Sequence, residues 1–157
     1  MTRIRIRAAT AEDRGFMFDQ APRLAAAAAL PWHAERDLLA FQHRYMKAAF
    51  ARPENEIATF IAEDAAGGRL GFVHVEASTD AVTLEPCAYV TIRALGQGAA
   101  SGLMAAAEEW ARQQGFHPIC LDVFANNGRA RTFYARQGYQ EDSLRLTKPL
   151  SKPLPDR

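Results

Sequence analysis

Cysteine is scarce in this 157-residue chain. Only Cys87 and Cys120 occur, and neither sits in a CxxC pair or beside a histidine at metal-ligand spacing. That excludes a disulfide scaffold and a structural metal site, and both thiols, each inside an apolar run, read as reduced core residues. An excess of one charge is also missing. The 19 Lys and Arg residues against 18 Asp and Glu residues leave a net charge of +1, so no global field selects nucleic acid or an anionic membrane as partner. Long apolar runs are absent too: the longest, Leu24 to Trp32, falls far short of the roughly 20 residues that cross a bilayer. At the N-terminus Arg3, Arg5 and Arg7 alternate with Ile4 and Ile6, which is strand spacing and not the apolar block of a secretory leader. The expected compartment is the cytoplasm. No internal repeat is visible, and low complexity is confined to the alanine run Ala25 to Ala29. A hydrophobic content of 48% with 24% charged residues places the chain among globular domains, and one domain over residues 1–150 is expected, followed by a loose tail over 151–157.

What is present is a succession of short periodic segments. The opening strand ends at Thr10, whose hydroxyl can cap a helix while Asp13 reaches back three residues later. The helix this predicts runs from about Ala11 to Leu30, where Pro31 ends or kinks it. A second helix is predicted from Glu35 to about Ala51, with Leu38, Phe41, Tyr45 and Ala49 on one side. Ile57 to Glu63 and Arg69 to Glu76 flank Ala65-Ala66-Gly67-Gly68 and read as an antiparallel hairpin. Pro86 to Leu95 is a further strand, with Ala88, Val90 and Ile92 on one face and Tyr89 and Thr91 on the other. It enters Gly96-Gln97-Gly98, after which Leu103, Met104, Ala107, Trp110 and Ala111 mark a helix that Gly115 stops. Ile119 to Phe124 reads as a buried strand, Asn127 to Gln137 as a short helix ended by Gly138, and Tyr139 to Leu150 as a final strand. The order strand, glycine turn, helix, strand requires one parallel crossover. The fold expected is therefore α/β (α+β), with a mixed, mostly antiparallel sheet of six or seven strands and helices on both faces.

Two constellations carry chemistry. Leu95-Gly96-Gln97-Gly98-Ala99-Ala100-Ser101 is a small-residue turn where a strand meets a helix N-terminus. Such a turn lets backbone approach a ligand, and unpaired N–H groups in the first helical turn attract phosphate oxygens, though glycine turns before helices are common and need bind nothing. The second is Leu121, Val123, Asn127, Ala130, Phe133, Tyr134, Gly138 and Tyr139, spaced as L-x-V-x-x-x-N-x-x-A-x-x-F-Y-x-x-x-G-Y. This pattern resembles a conserved block of the Gcn5-related N-acetyltransferase (GNAT) family. The family's upstream loop, R/Q-x-x-G-x-G/A, is met in two registers. One begins at Arg93 with Gly96 and Gly98; the other puts Leu95 at the basic position with Gly98 and Ala100, and it sets Leu103, Met104 and Trp110 at the family's helical spacing. The family's V-x-P-x-x-R/Q approach is not met, since Ile92-Arg93-Ala94-Leu95 has neither the proline nor the basic residue in its usual place.

The resemblance implies an acetyl-CoA-dependent enzyme acting on a primary amine, either a small molecule or a peptide, by direct attack in a ternary complex. A catalytically impaired acyl-CoA-binding module with the same fold is the alternative. For the cofactor, the resemblance implies backbone of Gln97, Gly98, Ala99, Ala100 and Ser101 around the pyrophosphate, and the strand end at Ile92, Ala94 and Leu95 beside the pantetheine. Asn127 would line the same side, or serve only as an N-cap. Tyr134 would protonate the leaving thiolate, or only shape the pocket as a packed aromatic. The base that takes the amine's proton has three candidates, Glu85, Glu76 and His74. Trp32 and His33 are expected at the acceptor wall, with Tyr45 and Phe50 as core or wall. Arg129, Arg131 and Arg136 either meet the cofactor's phosphate or form a solvated face. The edge of the final strand could support a homodimer. A doubly wound dinucleotide-binding domain is disfavoured, because no strand precedes an intact GxGxxG.

Overall fold

The computed structural model describes residues 3–27, 30–94, 96 and 98–150. Its elements run β1 (Arg5–Ala8), α1 (Arg14–Phe18), α2 (Ala21–Ala27), α3 (Glu35–Phe50), β2 (Ile57–Glu63), β3 (Arg69–Thr79), β4 (Pro86–Ala94), α4 (Ala99–Gln113), β5 (Ile119–Leu121) and α5 (Gly128–Arg136). The sheet order is β1-β2-β3-β4-β5. Every pairing is antiparallel except β4 with β5, which is parallel, with α4 as the crossover. The expected mixed sheet is therefore present, with helices on both faces.

Three expectations are corrected. The sheet has five strands among the described residues, not six or seven: Tyr139 to Leu150 has the alternation of a strand but no strand beside it, and β5 closes at Leu121 where the chain turns toward α5. The first helix is not continuous. A 3-10 turn over Ala11–Asp13 precedes α1, and the chain breaks before α2 because Pro22 offers no N–H and its ring would strike the carbonyl of Phe18. On α3 the buried stripe is Leu38, Gln42, Met46 and Ala49, while Phe41 is 47% exposed.

The turn between β2 and β3 is built as its sequence implies. The Asp64 carboxylate accepts from the N–H groups of Ala66 and Gly68, and Gly67 takes the positive φ of 82° that closes the hairpin. Just past this turn Gly71 faces Ala94; a Cβ on Gly71 would lie 2.3 Å from the Arg93 carbonyl oxygen. Only glycine allows β3 to lie so close to the end of β4.

The two faces of the sheet differ in kind. On one, Ala62, Val73, Val75, Ala88 and Val90 pack against Leu103, Met104, Ala107 and Ala111 of α4, all buried. On the other, Ile61 and Phe72 meet Met17 of α1 and Met46 of α3. Asp13, fully buried, anchors this second face at the β1 end. Its carboxylate accepts from Arg7 at 2.7 and 2.9 Å, from Arg69 at 2.7 Å and from the Thr10 N–H at 2.8 Å. Hydrogen bonds from Arg7 hold it well below the usual carboxylate range.

Candidate active site

The glycine turn stands at the head of α4. Gly98 is the helix N-cap at φ 81°, Gly96 takes φ 86°, and the Ala99 N–H returns to the Gly96 carbonyl at 3.0 Å. Two left-handed residues so close together bend the backbone sharply, and with the Ala99 N–H taken up by the turn, those of Ala100 and Ser101 are the next first-turn N–H groups of α4 with no intrahelical partner. Leu95 and Gln97, also expected here, lie outside the described residues. Beside the turn is a groove of about 560 Å³ between α4 and α5, lined by Ser101, Gly128, Arg129, Thr132, Arg136 and Gln137 together with Phe133. One guanidinium nitrogen of Arg129 lies 3.5 Å from where a Gly96 Cβ would stand, which brings a cation over the turn itself. Arg136 lines the same groove, while Arg131 turns away to bond Glu141 and the Ala125 carbonyl. Backbone amides, a helix N-terminus and two guanidiniums thus lie close together, a set of groups suited to an anion.

The glycine turn follows directly on β4, and the sheet has a gap there. β4 and β5 pair only at Ala88↔Ile119, Tyr89↔Cys120 and Val90↔Leu121, so beyond Val90 the edge of β4 toward β5 has no strand beside it among the described residues. Ile92 and Ala94 lie on this open stretch with their side chains toward the α4 core. Asn127 caps α5, its side-chain oxygen accepting from the Ala130 N–H at 3.2 Å. Tyr134 on α5 is partly buried between Phe133 and Tyr139, with ring centroids at 5.3 and 5.7 Å. Burial raises its phenol above the ordinary tyrosine value, so the group keeps its proton at neutral pH.

Across the sheet, beneath α3, the side chains are polar. Glu76 stands opposite Tyr89 in the β3–β4 ladder, and Tyr89 donates to Asp122 at 2.9 Å. Glu76 lies 3.7 Å from Arg52 and 3.5 Å from Nε2 of the fully buried His74, whose Nδ1 meets the Thr59 hydroxyl at 2.8 Å. Arg93 donates to Gln42 of α3 at 3.0 Å and to the Ile92 carbonyl, with no carboxylate partner among the described residues. Four buried side-chain atoms lack any hydrogen-bond partner there, namely Gln42 Nε2, Tyr45 Oη, His74 Nε2 and Arg93 Nε, and all four belong to this face. Burying such groups without partners is unfavourable, and their concentration in one place marks a surface arranged for something other than packing. Desolvation pushes the Tyr45 phenol up to about 12.

The remaining expected residues are dispersed. Glu85 is exposed, in the turn where its carbonyl accepts from Asp80; the nine residues of β4, at about 3.4 Å each, separate it from the glycine turn. Trp32 and His33 form the connection from α2 to α3. Trp32 is 40% exposed, and the His33 ring meets Phe124 edge-on at 6.0 Å, which brings this connection onto the loop after β5. Phe50 packs edge-on against His74 at 5.4 Å. Cys87 and Cys120 are unbridged thiols with sulfurs 3.9 Å apart, and burial pushes Cys120 up to about 12. The sequence did not single out Arg93, Gln42 or Tyr45 as a group. The available signal was Arg93 in an otherwise apolar strand, on the same side as Tyr89 and Thr91. No helix among the described residues is long and apolar enough to cross a membrane, and no group of metal-ligating side chains occurs among them.

This arrangement has counterparts. The family model described as the acetyltransferase (GNAT) family matches residues 22–139. Two curated relatives come from Bacillus subtilis (strain 168). The uncharacterized N-acetyltransferase YhfO is 28% identical over 98 residues, covering 59% of this chain and 66% of its own length; YycN, of the same description, is 38% identical over 55 residues, 35% of each chain. The chain thus spans about a third of YycN and about two thirds of YhfO. Among solved structures, a putative acetyl transferase from Pyrococcus furiosus superposes with a TM-score of 0.76 at 23% identity, covering 94% of this chain and 100% of that one. The aminoglycoside acetyltransferase AAC(6')-Iy, bound to the bisubstrate analogue CoA-S-monomethyl-acetylneamine, gives 0.65 at 20% identity, covering 95% and 99%. At these identities the likeness is one of fold. The match of the family model over most of the chain goes further: this protein belongs to the acetyltransferase (GNAT) family.

Proposed function

We propose that the chain is an acetyl-CoA-dependent N-acetyltransferase that transfers an acetyl group to a primary amine by direct attack within a ternary complex. The observation that carries this is the succession of a β4 edge with no strand beside it beyond Val90, the glycine turn at Gly96 and Gly98 with Arg129 over it, and the groove between α4 and α5. Acetyl-coenzyme A supplies an acetyl group activated as a thioester. Main-chain N–H groups of Gly98, Ala100 and Ser101 hold its diphosphate, aided by Arg129 and Arg136, and the edge at Ile92 and Ala94, whose carbonyls otherwise accept from Arg93 and Arg23, pairs with its amide-bearing arm. A sheet edge that opens beside such a turn can accept an extended ligand as it would accept a strand.

Proton movement falls to two side chains. Tyr134, held protonated by burial, gives a proton to the departing thiol. Glu76 takes one from the acceptor amine; it stands inside the sheet opposite Tyr89, whereas Glu85 lies out in a solvated turn. The acceptor enters from the α3 side, past Trp32 and His33, and its polar groups meet Arg93, Gln42 and Tyr45. A covalent acetyl-cysteine is not part of this reading: Cys87 is buried, and burial raises the Cys120 thiol and favours its protonated form. A single domain over residues 1–150 suffices for this chemistry. Calorimetry with acetyl-coenzyme A, followed by thiol release over a panel of amines, tests the reading. Saturable binding with release dependent on one amine class is expected; binding without turnover would instead assign an acyl-CoA-binding module.

A further inference from the structure

The cation near the end of β4 has no anion among the described residues. Arg93 lies with Tyr89 and Thr91 on the α3 side of the strand. Of its five N–H groups, one serves the Ile92 carbonyl and one serves Gln42 Oε1, which leaves three without a partner among the described residues. Its Nε is buried without a hydrogen bond, as is Nε2 of Gln42. Around the guanidinium stand Tyr134, Tyr45, Tyr89 and a second cation, Arg23, and burial pulls the Arg93 pKa down. Arg23 bonds only neutral oxygens there, the Gln20 side chain at 3.4 Å and the Ala94 carbonyl at 3.3 Å. A largely buried guanidinium without an anion is unfavourable, and elsewhere in this fold buried charge is paired, Asp13 with Arg7 and Arg69.

The polar side chains of this face form a line with opposite charges at its ends. Gln42 and Tyr45, three residues apart on α3, share one side of that helix. The Tyr45 ring meets the Tyr89 ring edge-on at 6.4 Å, and Tyr89 stands opposite Glu76 in the ladder. Arg93 with Gln42 marks one end of the line, and Glu76 the other. A molecule whose amine faces Glu76 and whose anion faces Arg93 matches the line in sign at both ends. A carboxylate suits the Arg93 end better than a phosphate, because it sets a single negative charge against one largely buried cation, where a phosphate would bring roughly two.

We propose that the acceptor is an amine that also bears a carboxylate, and that Arg93 and Gln42 bind this carboxylate through the N–H groups left over on both side chains. Arg23, exposed beside the Ala94 carbonyl, adds a second positive charge at the rim. The inference rests on the acetyl-transfer reading above and narrows its acceptor to molecules of the amino-acid type.

The test pairs carboxylate-bearing amines with their carboxamides, the same molecules without the charge, and follows thiol release from acetyl-coenzyme A by the full chain. In the best pair kcat/KM favours the carboxylate by about 100-fold or more, because the neutral analogue leaves a buried cation unpaired. Arg93→Gln brings that ratio to within about threefold of one; a role confined to holding the sheet would lower both acceptors together and keep the ratio, which does not depend on how much of the variant is folded. In labelled protein saturated with coenzyme A, the Arg93 Nε–H resonance shifts on addition of the carboxylate-bearing amine and stays in place with its carboxamide. Equal turnover within every pair, a preference for phosphate-bearing amines, a preference that survives Arg93→Gln, or an unmoved Arg93 resonance would each overturn this inference and leave acetyl transfer standing. Turnover of no amine at all would overturn acetyl transfer, and this inference with it.

Discussion

The two faces of the sheet are made from the same strands and have opposite characters. Toward α4 the contacts are aliphatic, from Val73 and Val75 to Leu103, Met104 and Ala107. Toward α3 the strands present Thr59, His74, Glu76, Tyr89 and Arg93, and every partnerless buried side-chain atom among the described residues lies there. Packing alone does not require the second arrangement, because apolar residues of similar size would fill the space at less cost. Not all charge on that face is of one type. Asp13 is fully paired and holds β1, β3 and the 3-10 turn together, whereas Arg93, Gln42 and His74 are left with unmet hydrogen-bonding capacity.

A division of this kind gives substitutions on the two faces separable effects. Glu76→Gln lowers turnover by about 10² to 10⁴ and removes the acidic limb of the rate profile, with little change in the urea midpoint. Retention of that limb would take Glu76 out of the mechanism. Asp13→Asn, on the same face, acts instead on folding, costing about 3–5 kcal/mol because two arginines lose their common anion. The sign with pH is set by the depressed carboxyl: its contribution is complete above the ordinary value of 3.8 and is lost as pH falls through that range toward the folded value, so wild type and variant converge in acid. Urea titrations at several pH values measure this. Leu103→Ala, on the α4 face, costs about 2–5 kcal/mol of stability while leaving the rate per folded molecule unchanged. Tyr134→Phe lowers turnover about tenfold with coenzyme A affinity kept, which would amount to about 1.4 kcal/mol at the transition state. An equal loss of affinity would make Tyr134 a packing residue.

Local patterns made much of the fold legible. The hairpin was readable because Ala65 to Gly68 can only be a turn between two strand-forming runs, and the Gly96–Gly98 turn because glycine is what left-handed backbone at a helix start requires. The Asn127 to Tyr139 spacing identified the helix that carries Tyr134. Features that depended on distant parts of the chain were less visible. β3 runs on to Thr79, which puts Glu76 inside the ladder and Glu85 out in the turn, and no local signal fixes where that ribbon ends. Arg93 bonds Gln42 of α3, and that pairing of residues 51 positions apart accompanies the place of Gln42, not Phe41, in the buried stripe. The segment after Tyr139 has the alternation of a strand, but no partner for it lies in the same sheet.

At the centre of the proposed chemistry, one end of β4 and the start of α4 grip a diphosphate. Titration of labelled protein with coenzyme A, followed by amide chemical shifts, tests this directly. Saturable changes centred on Gly96 to Gly102 and on Gly128 to Gln137 are predicted, with the α4-facing core unmoved. Spectra that stay the same up to millimolar coenzyme A would contradict it.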